Sequence, residues 1–298
     1  MRTITIVIPN LNSPIIDQTL SALRAQAYDM TRVEILVVGL DEPRLVHTDA
    51  LVRFISTGRP AVPAVARNIG IRAAQGELIC FTDADCIPGP NWLERLTSVV
   101  SDNEPINVAG GGVVFPTEHY WTLGDNVSWF HEFVISSPPG TRDLLPSLNL
   151  CVHRSVIEQV GLFNEAYPRA AGEDSEWTTR MRRAGHRLHF VPRAIVYHQP
   201  RRSTLSDLLA HGYIYGRYSV KIQPQLAGFL ETPLVLRHWW TLLLLTPLLA
   251  AGATARIYTR NRTLLAHLHA APAVFFSKVA WCWGAAHSLL RRQYVVQN

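Results

Sequence analysis

The chain has 298 residues, 48% hydrophobic and 17% charged, with a formal net charge of +5. That length holds one large domain or a domain with an appendage, and the positive excess favours an anionic partner: nucleotide, lipid head group or nucleic acid. Four cysteines, Cys80, Cys86, Cys151 and Cys282, form no CxxC pair, which excludes a disulfide framework and a thiolate zinc site and fits a reducing compartment.

The opening "MRTITIVIP" has a single Arg and a short β-branched run, so it reads as a first strand rather than a secretory leader. Ile16, Leu20, Leu23 and Ala27 then recur at helical spacing. "VEILVVG" and "LVRFIST" are the second and third strands, and Val62, Ala66, Ile69 and Ala73 mark one face of a helix. "ELICFTD" is the fourth strand. Trp92, Leu93, Leu96, Val99 and Val100 form the next helical stripe, with Asn91 as its N-cap. "INVAGGGVVF" resumes strand character. Alternating strands and helices imply an α/β fold, a mostly parallel sheet flanked by helices.

Residues 117–150 are rich in aromatics, Pro and Gly and suit either a substrate loop or a plain connection. Order resumes over 151–200, where "GEDSEWTTRMRRAG" opens a helix on two acids and "HRLHFVPRAIVYH" follows. The character then changes. The segment 238–255, "HWWTLLLLTPLLAAGATA", has no charged residue and is flanked by Arg237 and Arg256. It is about long enough to span a bilayer. A second apolar stretch, "AAPAVFFSKVAWCWGAAHSLL", is interrupted by Lys278 and reads as an interfacial or re-entrant helix with snorkelling cations. The alternative is two buried helices of an appendage, or a homodimer interface. The expected division is an α/β domain over 1–200 and a helical, apolar, membrane-associated region over 201–298.

Asp83 and Asp85 stand just past the end of the fourth strand. Ligands bind beyond the carboxyl ends of strands in an open parallel sheet. One acid there can meet a ribose hydroxyl and the other a hard cation that also takes diphosphate oxygens. The alternative is that an Asp-x-Asp simply makes a turn through its own backbone. Glu173 and Asp174 either complement a helix N-terminus or supply a general base, with one facing the site and the other Arg182 or Arg183. His198 ends a strand and is either structural or a metal ligand meeting Asp85. Arg201 and Arg202 follow it and can reach a phosphate.

Taken in order, "TIVIPNLN", "ARNIGIRAAQGELICFTDADCIPGPNWL", "NLCVHRSVIEQVGLFNE", "GEDSEWTTRMRRAGHRL" and "VPRAIVYH" resemble the family 2 glycosyltransferases over roughly residues 1–200. The resemblance implies a GT-A fold, a nucleotide-diphospho-sugar donor (a UDP-sugar by default), Mn²⁺ or Mg²⁺, and inversion at the anomeric carbon. Carried onto this chain, it puts Asp83 on the nucleoside, with Ala84 beside it, and Asp85 and His198 on the metal. Asp174 becomes the base. Arg67 sits near the nucleotide, and Pro9 and Asn10 line the base pocket. Family members commonly carry V-D-D-G-S after the second strand. Here "VVGLDEP" places Gly39 at the first Asp, with Asp41 as a shifted substitute. The acceptor is expected to be a glycan, a lipid-linked molecule or another small molecule, reached at the cytoplasmic face of a membrane or in the cytoplasm, with no nucleic acid involved.

A haloacid-dehalogenase phosphohydrolase needs Thr or Val two residues after its second Asp, where this chain has Ile87. A sugar nucleotidyltransferase needs a Gly-rich loop after its first strand, and "IPNLNSP" has none. The alternative from another class is a non-catalytic, membrane-attached nucleotide- or glycan-binding protein on the same fold.

Overall fold

The computed structural model describes residues 2–100, 106–226 and 233–295. Its backbone divides into two units, Met1–Val114 with Pro138–Gln199, and Phe115–Ser137 with Pro200–Asn298.

The first unit begins β1 (Ile4–Leu11), α1 (Ile16–Arg24), β2 (Val33–Leu40), β3 (Val52–Ser56), α2 (Pro63–Ala73) and β4 (Leu78–Thr82). It continues with β5 (Cys86–Pro88), α3 (Trp92–Thr97) and β6 (Val108–Val114). After α4 (Tyr120–Phe130), which belongs to the second unit, come β7 (Gly140–Thr141), β8 (Asn149–His153), α5 (Arg154–Val160), α6 (Glu173–Arg183) and β9 (Leu188–His198). All five residues of β4 are buried, as are the first five of β1. This explains why both read as near-continuous apolar runs: helices cover the two faces of a parallel sheet.

The strand order is β3-β2-β1-β4-β8-β6-β9-β5, with β7 on β9. The four strands β3-β2-β1-β4 are mutually parallel. Beyond them β8 enters antiparallel between β4 and β6, and β6 and β9 form another long parallel ladder. The reversal of winding between β1 and β4 is the switch point of the sheet. The β1–β4 ladder ends at Val7↔Phe81, short of Pro9, which has no N–H to donate.

Long-range contacts lock this arrangement. Asn149 is wholly buried; its amide donates to the Gly112 carbonyl (3.0 Å) and the Ala194 carbonyl (2.8 Å), and its oxygen accepts from Trp92 Nε1 (2.8 Å). One side chain thus ties β8 to β6, β9 and α3. Trp177 of α6 meets the Phe81 ring of β4 edge-on at 5.6 Å and lies over Phe163 at 3.9 Å. That aromatic cluster seats the N-terminal half of α6 on the strand carrying the Asp pair.

Two local expectations differ from the structure. Asn91 occupies the N-cap position of α3 but makes no side-chain cap bond, and the helix stops at Thr97, before Val99 and Val100. The segment 117–150 is not loop throughout: within it Leu123 and Val127, one helical turn apart, bury one face of α4 in an apolar cluster with Val274.

The second unit adds to α4 the helices α7 (Leu205–Arg217), α8 (Trp239–Leu244), α9 (Thr246–Arg260) and α10 (Ala271–Arg291). Thr204 and Asp207 form a capping box at the start of α7. α7 and α10 touch along small residues: a Cβ on Gly216 would fall 2.0 Å from the Trp281 carbonyl oxygen, and one on Gly284 1.9 Å from that of Tyr213. Asp125 of α4 is fully buried and accepts from Arg202 Nε and from His211 Nδ1, each at 2.7 Å. Burial opposes its charge, but His211 and Arg202 outweigh burial and hold it below the usual carboxylate range. Arg202 is therefore committed to a carboxylate rather than presented for a phosphate.

The apolar segment does not form one continuous helix. It breaks at Leu245 into α8, of six residues, and α9, of fifteen. Pro247 has no N–H for an i→i−4 bond, so the helix restarts there. No helix among the described residues is long and apolar enough to cross a membrane, which overturns a spanning segment over 238–255. Nor does Lys278 snorkel. Its Nζ lies 3.9 Å from the Trp129 ring centroid and donates to the Ser128 carbonyl (2.7 Å), and burial pulls its pKa down to about 7.

Candidate active site

The residues that follow β4 form a loop, 83–85, held from several sides. Ser13 Oγ, in the loop after β1, donates to the Ala84 carbonyl at 2.7 Å and fixes that loop. The Asp83 carboxylate, 29% exposed, accepts from Arg67 Nη2 at 2.7 Å. The Arg67 side chain is only 3% exposed, and its Nη1 donates to Glu173 Oε1 at 3.0 Å. A guanidinium from α2 therefore bridges the acid after β4 and the first acid of α6. Burial works against the Arg67 charge, but Asp83 and Glu173 more than offset it, and its pKa is raised.

Glu173 is the strained member of this set. Burial, then the neighbouring Asp174, push its pKa up to about 7, against which Arg67 pulls only partly. Its Oε2 is buried without a partner. The Asp174 carboxylate is half-buried; Oδ1 accepts from the Ser175 N–H (2.7 Å) and Oδ2 from the Ser147 N–H (3.1 Å). Of the two acids, Glu173 thus turns to Arg67, not to Arg182 or Arg183 as the helix alone suggested. Arg182 pairs instead with Asp143.

A folded-state pKa near 7 exceeds the ordinary 4.5, so the native state keeps a proton that the unfolded chain loses between those values. The linked stability is complete below about pH 4.5 and is lost as pH rises through about 7. Glu173→Gln is expected to remove that slope, on the order of 3 kcal/mol over the window, which urea unfolding of parent and variant between pH 5 and 8 measures. An unchanged slope in the variant would assign the pH dependence to another group.

On the other side of the loop, β5 pairs antiparallel with β9 in the register Cys86↔His198, and Gln199 N–H donates to the Asp85 carbonyl (2.8 Å). This brings His198 Nε2 within 3.8 Å of Asp85 Oδ2. The gap exceeds a hydrogen bond and suits two donor atoms bound to one cation at about 2.1 Å each. Asp85, Cys86 and His198 each offer a ligand atom within 4.8 Å of the others. Cys86 is fully buried and its sulfur is a soft donor, whereas Mg²⁺ and Mn²⁺ select oxygen ligands, Mn²⁺ accepting an imidazole more readily than Mg²⁺. Asp85 and His198 are the pair that fits a hard divalent ion.

The remaining candidates lie around the ends of β1 and β2. Asn10 is 3% exposed; its amide donates to the Leu40 carbonyl (2.7 Å) and its oxygen accepts from the Ser13 N–H (3.1 Å). Pro9 is half-buried beside it on β1. Asp41 accepts from the Leu45 and Val46 N–H groups (3.1 and 2.8 Å), so both its oxygens shape its own loop. Gly39 has φ +140°, and a Cβ there would lie 1.9 Å from the Asn10 carbonyl oxygen. No side chain fits that backbone, so the Asp that the resemblance puts at this position has no room here. Arg201 is exposed and belongs to the second unit.

Two supports escaped the sequence reading. Ser147, which orients Asp174 through its backbone, stands in a Pro-rich stretch with no motif of its own. Asn68, next to Arg67, donates to the Phe163 carbonyl (2.9 Å) and accepts from the Phe163 N–H (2.9 Å), pinning the approach to α6. Its place in "ARN" was the available signal.

A switch-point carboxylate pair on a mostly parallel sheet, faced by acids that open a helix, is the GT-A arrangement. The family model described as Glycosyl transferase family 2 matches residues 5–150, and that described as Glycosyl transferase family group 2 matches 78–295. The chain belongs to the family 2 glycosyltransferases.

Glycosyltransferase AglE of Haloferax volcanii is 28% identical over 230 residues, covering 74% of this chain and 73% of that protein. The pre-mycofactocin glycosyltransferase of Mycobacterium tuberculosis is 28% identical over 226 residues, 72% of this chain but only 46% of its own length. Among solved structures, the mannosyltransferase PcManGT from Pyrobaculum calidifontis, in complex with GDP-Man and Mn²⁺, superposes with a TM-score of 0.64 at 19% identity. It covers 98% of this chain and 88% of that one, and shows the shared fold. Family membership favours a transferase over the non-catalytic binding protein.

Proposed function

We propose that this enzyme moves a sugar from a nucleoside-diphosphate sugar to an acceptor hydroxyl, with inversion, using a divalent cation. The observation that carries the reading is the loop 83–85, whose two carboxylates are divided between Arg67 and His198. Asp83, steadied by Arg67, receives the nucleoside, with Ala84, Pro9 and Asn10 lining its pocket. Asp85 and His198 would hold Mn²⁺ or Mg²⁺, which when bound neutralises charge on the leaving diphosphate. Asp174 takes the proton of the acceptor hydroxyl, whose oxygen forms a bond to the sugar C1 as the C1–diphosphate bond breaks. Holding the two reactants in line supplies several kcal/mol of the barrier.

A UDP-sugar is the default donor, and the GDP-Man in PcManGT makes GDP the second candidate. Glycan, lipid-linked and small-molecule acceptors all fit the chemistry. We place the reaction at the cytoplasmic face of a membrane, where four free, buried thiols stay reduced and the exposed apolar surface of the second unit meets lipid.

Thermal unfolding with a panel of nucleoside diphosphates, with and without Mn²⁺, tests the donor site, since a ligand bound only by the folded state raises Tm. One nucleotide is expected to stabilise in a Mn²⁺-dependent way, by about 3 kcal/mol at a hundredfold excess over Kd. Asp85→Ala is expected to abolish the Mn²⁺-dependent part. Undiminished Mn²⁺ dependence in that variant would remove Asp85 as a ligand.

A further inference from the structure

The outer helices of the second unit are coloured the wrong way for water. In α8, Leu242 alone is buried, while Trp239, Trp240, Leu243 and Leu244 are 40%, 52%, 45% and 71% exposed. At about 100° per residue these four span an arc of roughly 140°, the side a water-facing helix makes polar. Leu248, one turn on in α9, is 72% exposed. Across from α8, Trp283 and Leu290 of α10 join Trp239 and Leu243 in lining an open cleft of about 240 Å³ with Arg291 at its edge. Contiguous apolar surface of this kind marks an interaction site.

Charge selects the partner. Residues 233–298 contain no Asp or Glu. They carry Arg237, Arg256, Arg260, Arg262, Arg291 and Arg292, all exposed. With Arg237 two residues before α8 and Arg291 lining the cleft, this surface repels a second copy of itself and attracts one that is apolar beneath and anionic above. Trp and Leu with flanking Arg suit the boundary between acyl chains and phosphates. No helix among the described residues is fit to cross a bilayer, so the contact lies in the interfacial plane.

We propose that α8, the start of α9 and the C-terminal half of α10 seat the protein on an anionic phospholipid surface. Trp240, Leu244 and Leu248 enter the acyl boundary, and Arg237 and Arg291 meet lipid phosphates. This deepens the membrane-side placement of the transferase reading, but its test uses neither donor nor acceptor.

Flotation of the full chain is measured with vesicles of phosphatidylcholine alone and with phosphatidylglycerol added, at low and high salt. Partitioning onto the anionic vesicles is expected to be at least about tenfold stronger, and to weaken with salt. Arg237→Gln with Arg291→Gln is expected to lose about tenfold on anionic vesicles and little on neutral ones. Trp240→Ser with Leu244→Ser, exposed positions whose change spares the core, is expected to lose binding to both while keeping nucleotide-dependent thermal stabilisation. Equal binding to neutral and anionic vesicles, or no binding to either, overturns the proposal. So does a dimer in solution that the Trp240→Ser, Leu244→Ser variant dissociates. A chain that binds vesicles but never a nucleotide would leave this surface standing and sink the transferase site instead.

Discussion

Asp174→Asn is expected to lower kcat by about 10²–10⁴ with donor affinity unchanged. The two Asp174 oxygens accept from backbone N–H groups on either side, Ser175 within α6 and Ser147 before β8. The carboxylate is thereby aimed, and among the described contacts Asp83 and Glu173 are hydrogen-bonded to Arg67 and Asp85 lies beside His198, while Asp174 makes neither contact. Asn keeps the shape and one acceptor but cannot take a proton. Its amide must also oppose one N–H donor, so a stability loss of about 1 kcal/mol accompanies the change. That loss is too small to mimic the kinetic effect. Steady-state rates with saturating donor, alongside Mn²⁺-dependent thermal shifts, separate the roles. Full transfer activity in Asp174→Asn would remove it as the base and turn attention to Glu173.

The largest stability effect belongs to Arg67→Met. Arg67 is buried and fork-bonded to two carboxylates from distant segments, Asp83 and Glu173, with Asp174 adjoining. Removing one partner of a buried ionic set leaves the rest uncompensated, at a cost of about 3–5 kcal/mol. The penalty should depend on pH. Glu173, its pKa already near 7, would hold its proton more firmly without the guanidinium. The loss is therefore greatest at pH 8, where the folded state must carry the charge or bind a proton from dilute solution, and smaller at pH 5. Arg67→Lys offers a point charge in place of a planar fork and is expected to fall between. Adding Glu173→Gln to Arg67→Met should restore part of the stability, a coupling that a double-mutant cycle reads directly. Urea unfolding at both pH values is the measurement; a fully stable Arg67→Met at pH 8 would show that the bridge carries no weight. Donor binding should weaken too, since Asp83 loses the group that orients it.

Much of this protein is written in short windows of its sequence. The apolar runs of β1, β2 and β4 are legible because a strand covered on both faces needs a continuous apolar segment. The acids after β4 declare its carboxyl end, and "GED" declares the start of α6, because caps and turns depend on neighbours only a few residues away. What the same windows do not contain is who meets whom. That Glu173 answers Arg67 across 106 positions, that β8 enters antiparallel beside β4, and that His198 lands opposite Cys86 and so beside Asp85 all follow from sheet order. Likewise, an aromatic stretch folds into α4 because α10 offers it a face, Lys278 turns inward onto Trp129, and an unbroken apolar run is cut in two at Leu245, just before Pro247. Local propensity and charge are properties of the chain itself. Burial, pairing and the pKa of Glu173 exist only once distant segments exclude water together.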